Sequence, residues 1–494
     1  MKSEKTQSCD TKYDSFSLMT HQKLVRDYIN LYTPYRGLLL YHGLGSGKTC
    51  SSIAIAEGMK SASQVVVMTP ASLRTNYKEE LKKCGDLMYK KTQFWEFIDT
   101  KLNSDYTEQL SSILSIPIEF IKSQGGAWMV NVSKLSNYNT LSSTDKASLD
   151  QQLNLMIDNK YSFINYNGMN YKHLEQLTKK WSINPFDNKV IIIDEAHNFV
   201  SRIVNKLKKD ESLSMRLYDY LMKASNCRII LLTGTPIINY PNEIGILFNI
   251  LRGYIKTWQI PIKVKRGSDS QKHIEQILSK FNVFDYIHYK PSQGVLSITK
   301  NPYGFYSNHG TDMYKGVKLN ERGDVNDADF LRTVIQLLTK NGVEVAEKLI
   351  KIDLAKALPD TLNEFQINFI DSKKGDLKNA NLFKRRILGL TSYFRDIEHL
   401  MPEYNPDRDY SVVEVDMSDY QFTKYEEARV QERKLEKQSA KKQKKGAGSD
   451  MAEDSVSTYR IFSRAFCNFV FPASIPQTYA KRWRGYSNSC IRYY

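Results

Sequence analysis

The sequence predicts an α/β fold, a parallel sheet with helices on both faces, and three observations predict it. Short leucine-rich or β-branched runs recur through the first 250 residues, at GLLL, QVVVM, NKVIII and CRIILL. Segments with apolar residues at helical spacing lie among them. Each run ends in a polar or glycine-rich turn. Strands buried on both faces read as continuous apolar runs, and helical crossovers between them make neighbouring strands parallel. Such sheets bind ligands beyond the carboxyl ends of their strands.

The elements follow in order. LMTHQKLVRDYINLY (18–32) has apolar residues at helical spacing. RGLLLYHG (36–43) reads as strand and turn, and CSSIAIAEGM (50–59) as helix. QVVVMTP (64–70) is a strand followed by the helix NYKEELKKCG (76–85). NKVIIIDEAH (188–197) and CRIILLTGTP (227–236) are further strands with polar ends. Residues 100–185 are Asn- and Ser-rich and only partly patterned, with WMVNVSKL (128–135) as an extra strand. Beyond residue 250, DFLRTVIQLLTK (329–340) and NLFKRRILGLTSYFRDI (381–397) look helical, and DYSVVEVDMS (409–418) alternates like an exposed strand. The charged run at 425–450 is either a solvated helix running into a disordered linker or an arm that contacts nucleic acid. The division expected is a flexible N-terminus (1–15), a lobe at 16–250, a mostly helical α+β accessory or linking region (251–425), a charged and partly disordered segment (426–455) and the start of a truncated C-terminal region (456–494).

Composition narrows the function. The chain has 494 residues, 41% of them hydrophobic, and a formal net charge of +16. That balance favours an acidic polymer or surface as partner. The six cysteines, at 9, 50, 84, 227, 467 and 490, are scattered and form no C-x-x-C pair. The expectation is therefore no disulfide framework, no cysteine zinc site and a reducing compartment. The polar start has no apolar core of signal-peptide length, and no apolar stretch reaches the ~18 residues of a membrane span. A soluble protein without a membrane partner is expected.

Chemistry concentrates in four places. Gly43, Gly45, Ser46, Gly47, Lys48 and Thr49 form a glycine-rich loop between a strand and a helix. Glycines let backbone N–H groups converge on an anion, and the following helix presents its positive end. Lys48 reaches the β and γ phosphates, and the Thr49 hydroxyl joins Mg²⁺. The strict G-x-x-x-x-G-K-T pattern wants glycine at His42 and meets it one residue later. VIIIDEAHN delivers Asp194 and Glu195 to a strand end. Asp194 is placed to hold Mg²⁺, and Glu195 to act as base or orienter for an attacking water. His197 follows, suited to sensing the γ-phosphate or coupling to the next motif. LLTGTPIIN brings the hydroxyls of Thr233 and Thr235 to another strand end. Gln22, ahead of the loop, carries an amide able to read the donor–acceptor edge of adenine. Arg202, Lys206, Lys208 and Lys209 come directly after the acidic motif and form either a solvated helix face or part of a polymer track, and the stretch near 382–386 is also basic.

Together these pieces resemble the helicase superfamily 2 ATPases, nearest the Snf2-like branch. HGLGSGKT resembles motif I, VVVMTPASLRTNYKEEL motif Ia, DEAH motif II and LTGTPIIN motif III. NPYGF, LFKRRILGLTSYF, YSVVEVDMSDYQFTKYEEAR and FSRAFCNFVFP are similar to the helicase-like ATPases of large DNA viruses, poxviruses included. The likeness runs from about residue 17 to 475. It implies a RecA-like lobe, ATP and Mg²⁺ as cofactors, and hydrolysis coupled to tracking on duplex DNA or remodelling of protein–DNA complexes. It implies a place in viral transcription, with RNA polymerase or another transcription-factor subunit as partner, in the virion or the viral factory of the host cytoplasm. That family continues into a second lobe with a Q-x-x-G-R-x-x-R segment, which this sequence lacks. The second lobe is therefore expected to be incomplete, absent or supplied by another polypeptide. Two functions stay open: an ATP-driven translocase, and a nucleotide-binding scaffold that hydrolyses poorly without a partner lobe.

Overall fold

Alternate residues of one strand feed two different cores. Leu38 and Leu40 belong to one buried cluster and Leu39 to the other, and Val65/Val67 and Val66/Met68 divide in the same way. A strand covered on both sides must be apolar throughout, which is why the runs in the sequence are continuous rather than alternating. The computed structural model describes residues 17–100, 105–208, 211–264, 270–278, 281, 283–309, 314–319, 325–371, 374–394, 405, 411–444, 461–472 and 474. They fall in two units, 1–402 and 403–494.

The first unit opens with α1 (Thr20–Tyr28), β1 (Gly37–His42), α2 (Lys48–Glu57), β2 (Gln64–Thr69) and α3 (Arg74–Cys84). An insertion follows: β3 (Phe94–Asp99), α4 (Asp105–Leu114), α5 (Ile118–Gln124), β4 (Gly126–Asn131) and α6 (Ser143–Lys160). The chain returns through β5 (Tyr161–Asn165), α7 (Tyr171–Leu177), β6 (Lys189–Ile193), α8 (Ala196–Val204), α9 (Leu213–Lys223), β7 (Arg228–Thr233) and α10 (Glu243–Arg252). The expected strand at 128–135 is β4, and it pairs antiparallel with β3 in a separate ribbon rather than joining the main sheet.

Next come β8 (Ile255–Lys263), α11 (Ser270–Leu278), β9 (Phe284–Lys290), β10 (Val295–Lys300), β11 (Phe305–His309), β12 (Tyr314–Leu319), α12 (Asp327–Lys340), β13 (Glu344–Val345) and β14 (Lys351–Ala355). Strands β8, β9, β10, β13 and β14 form an antiparallel sheet, and its core joins Trp258, Ile260 and Ile298 to Phe330 and Val334 of α12. The unit closes with α13 (Leu362–Phe369), α14 (Ala380–Arg386) and β15 (Thr391–Phe394).

The main sheet has the order β15-β1-β7-β6-β2-β5, every neighbour parallel. It therefore extends past residue 250, taking its edge strand from residues 391–394. The helix expected over 381–397 stops early. Gly389 has φ 71, a conformation that ends a helix, and the β-branched and aromatic residues after it pair with β1.

In the second unit α15 (Asp419–Lys444) meets α16 (Ile461–Asn468). The Glu432 carboxylate accepts from the N–H groups of Phe462 and Ser463, both at 3.1 Å, and so caps α16. Residues 411–418, read as a strand, are irregular and mostly exposed. Alternation alone makes no strand where no ladder partner meets it among the described residues. The end of the charged segment and residues 475–494 lie outside the described residues.

Cys50 and Cys84 are joined by a disulfide, Cα atoms 5.7 Å apart, a single bridge that the scattered spacing of the cysteines did not suggest. Their 34-residue separation hides that α2 and α3 pack side by side on one face of the sheet.

Candidate nucleotide site

The phosphate loop runs from the end of β1 into α2, as expected. Gly45 and Gly47 have φ of 80 and 72, a left-handed conformation that favours glycine. A Cβ on Gly47 would also stand 2.5 Å from the Gln22 Nε2 atom. The loop folds on itself: Ser46 Oγ donates to Gly43 O at 2.8 Å, and Lys48 Nζ donates to His42 O at 3.1 Å and Gly43 O at 3.0 Å. Burial lowers the Lys48 pKa, and the nearby Glu195 and Asp194 carboxylates oppose that. Helix α1 holds the loop from outside. Gln22 is buried, donates to Gly47 O at 3.2 Å and accepts from Met19 N–H at 3.0 Å.

The acidic pair sits at the end of β6, two strands from β1. Asp194 N–H donates to Met68 O at 2.9 Å, and Asp194 Oδ1 accepts from the Glu195 N–H at 3.0 Å. Burial, with the Glu195 charge beside it, pushes the Asp194 carboxyl up to about 6. Glu195 has φ 46, a left-handed conformation uncommon for a residue with a side chain and typical of functional turns. The Tyr166 hydroxyl braces it, 3.1 Å from Asp194 O and 3.2 Å from Glu195 O.

His197 links the second motif to the third. Its Nδ1 lies 2.8 Å from Thr233 Oγ1 and 3.4 Å from Glu195 Oε2. Thr233 Oγ1 also accepts from the Thr235 N–H at 3.0 Å. The turn beyond is held by buried Glu243, which accepts from Ile238 N–H at 2.7 Å and Asn239 N–H at 3.2 Å. A cleft beside the acidic pair is lined by Pro70, Ser72, Asn167, Glu195, His197 and Arg202.

The predicted residues of the motifs therefore lie about the strand ends, and of the basic ones Arg202 joins them. Arg202 reaches the cleft, bonded to Asn167 Oδ1 at 2.9 Å. Lys206 and Lys208 lie in the turn after α8 and are not among the residues that line the cleft, and Lys209 lies outside the described residues. The arginines near 382–386 are not displayed toward a polymer. Arg386 pairs with Asp285 of β9 at 3.0 Å, and Arg385 donates to Asp285 O at 3.0 Å. A lysine and two arginines in a row look like an anion track in sequence, but here the guanidinium groups tie the main sheet's edge to the antiparallel sheet. Tyr166 and Glu243 escaped sequence reading because a single Tyr or Glu outside a motif carries no signal.

The donor set suits Mg²⁺ with a nucleotide. A threonine hydroxyl and a carboxylate are hard oxygen ligands, and the lysine amine bonds the loop carbonyls within the electrostatic influence of the acidic pair. Thr49 and Asp194 would hold the ion, and Lys48 with the loop would hold the phosphates.

Residues 17–238 match the family model described as Type III restriction enzyme, res subunit. Over about as many residues the chain is similar to helicase-like proteins of large DNA viruses. A protein of Acanthamoeba polyphaga mimivirus named as an ATP-dependent RNA helicase is 30% identical over 243 residues, 49% of this chain and 33% of that relative. A termination factor NPH-I homolog of African swine fever virus is 28% identical over 220 residues, 44% of this chain and 23% of that relative. The chain spans a third or less of the length of these two relatives. A solved Sulfolobus solfataricus SWI2/SNF2 ATPase core in complex with dsDNA is 17% identical, covering 48% of this chain and 36% of that one, at a TM-score of 0.26. That overlap carries no argument; the sheet order above carries the fold.

Proposed function

We propose that this chain binds ATP with Mg²⁺ and uses hydrolysis to move along or remodel nucleic acid, with duplex DNA as the polymer. One observation carries the reading. Lys48, the Asp194–Glu195 pair and the His197–Thr233 pair gather at the carboxyl ends of the adjacent strands β1, β6 and β7.

Each residue then has a task. Lys48 exchanges its loop carbonyls for the β and γ phosphates. Mg²⁺, when bound, neutralises phosphate charge. Glu195 takes a proton from the attacking water, or orients it, at its carboxylate, while Tyr166 fixes the backbone behind. Gln22 recognises the adenine edge. Thr233, Thr235 and His197 relay the state of the phosphate to the cleft where Arg202 stands. The net charge of +16 supports an anionic polymer. The termination-factor name of the African swine fever virus relative supports a role in viral transcription, with a polymerase or transcription-factor subunit as partner, in the virion or the viral factory. The mimivirus relative's name favours RNA as the alternative polymer.

Glu195→Gln tests the reading. The amide keeps the shape and cannot take a proton. Nucleotide binding should survive, while phosphate release with duplex DNA should fall about 100-fold or more. Undiminished release would remove Glu195 from its task.

A further inference from the structure

The phosphate loop is held by side chains from both ends of the first unit, and none of those residues is part of its glycine-rich motif. His21 Nε2 lies 2.9 Å from Ser46 O. A carbonyl only accepts, so this nitrogen carries the ring proton and donates. The His21 ring stacks on Phe394 with centroids 4.2 Å apart and planes at 12°. Phe394 is the last residue of β15, and its own carbonyl accepts from the Gly43 N–H at 3.0 Å. Two residues earlier, Ser392 Oγ lies 2.9 Å from His42 Nε2, across 350 residues of sequence. His42 is completely buried. Without β15 the strand leading into the loop would be a sheet edge, and the first loop residue would have no ladder beside it.

A trans peptide points its C=O and the following N–H in opposite directions. Pinning Ser46 O toward α1 therefore turns the Gly47 N–H away from α1. That is the direction in which a glycine-rich loop must present its amides to an anion. The stack on Phe394 holds the imidazole at the angle this requires.

Resting on the ATP-binding reading, we propose that His21 and Phe394 are positioning residues of the nucleotide site. His21 anchors the Ser46 carbonyl, Phe394 fixes the His21 ring, and the loop amides are thereby set for phosphate before it arrives. Ser392 supports the same loop through His42.

The test is titration of the full chain with fluorescent ATP and Mg²⁺, with circular dichroism confirming the fold of each variant. His21→Ala should weaken binding about tenfold, the loss of one well-placed hydrogen bond. His21→Gln, whose amide can still donate to Ser46 O, should recover to within about threefold of the parent. Phe394→Ala should weaken binding in the same direction. The double variant His21→Ala with Phe394→Ala should lose little more than either alone, because both act through one anchor. Should Phe394→Ala fail to fold, Phe394→Tyr should bind like the parent, and the His21 pair still decides. Parent-like affinity of His21→Ala overturns the proposal, as does a His21→Gln as weak as His21→Ala, or full additivity in the double variant. Lys48→Ala in the same series separates the two levels. If it loses affinity while His21→Ala does not, only the positioning role fails; if it binds like the parent, the nucleotide reading itself fails.

Discussion

His42 is the most constrained titratable residue of the loop. It is completely buried, one ring nitrogen faces Ser392, and the other, Nδ1, has no hydrogen-bond partner among the described residues. Burial, reinforced by the positive fields of His21 and Lys48, pushes it down to about 4. In an unfolded chain a histidine titrates near 6.5. Below that pH the unfolded chain takes a proton that the folded chain refuses. The stability His42 contributes is thus complete above about 6.5 and lost as pH falls toward 4. The loss should be roughly 3 kcal/mol across that window. Urea unfolding at several pH values, parent against His42→Gln, measures it as the difference between the two acid limbs. Parallel acid limbs would mean that the ring is protonated in the fold. Asp194 has the opposite character: a carboxyl raised to about 6 favours the apo fold at acid pH and opposes it once ionised.

At the scale of elements, the cross-link between α2 and α3 ties the helix that begins at the phosphate loop to the helix that follows the second strand. Closing a loop over the 34-residue separation restricts the unfolded chain by about 3–4 kcal/mol. Urea unfolding with and without dithiothreitol should show that loss, and an unchanged midpoint would contradict the bridge. The elements also differ in how clearly the sequence announced them. β1, β2, β6 and β7 were legible because burial on both faces leaves an unbroken apolar run and function leaves a motif at its end. β15 was not, because its partner lies about 350 residues upstream and its four residues follow a helical pattern. The antiparallel strands between 255 and 355 were missed for a related reason. Their edge strand β14 is exposed along its whole length, so KIDLA shows no buried face to read. The cysteine pair depended on two helices lying side by side, which spacing alone does not reveal.

For the whole molecule, the proposed function would join a phosphate site to an anionic polymer through the His197–Thr233 contact and the cleft that Arg202 lines. Each phosphate neutralised contributes about −0.9 to the slope of log K against log salt, so a footprint of ~4–6 phosphates gives about −4 to −5. Titrating unrelated duplexes at several salt concentrations should return that slope with little dependence on sequence. A flat salt response, or binding confined to one sequence, would contradict a tracking surface.

The central claim is that Gly43–Thr49 binds the phosphates of ATP through Lys48, and calorimetric titration of ATP with Mg²⁺ into the parent and Lys48→Ala tests it most directly. The account predicts saturable binding by the parent and a loss of about 10- to 100-fold in the variant, whose folded spectrum is unchanged. Equal affinity of the two proteins would contradict it.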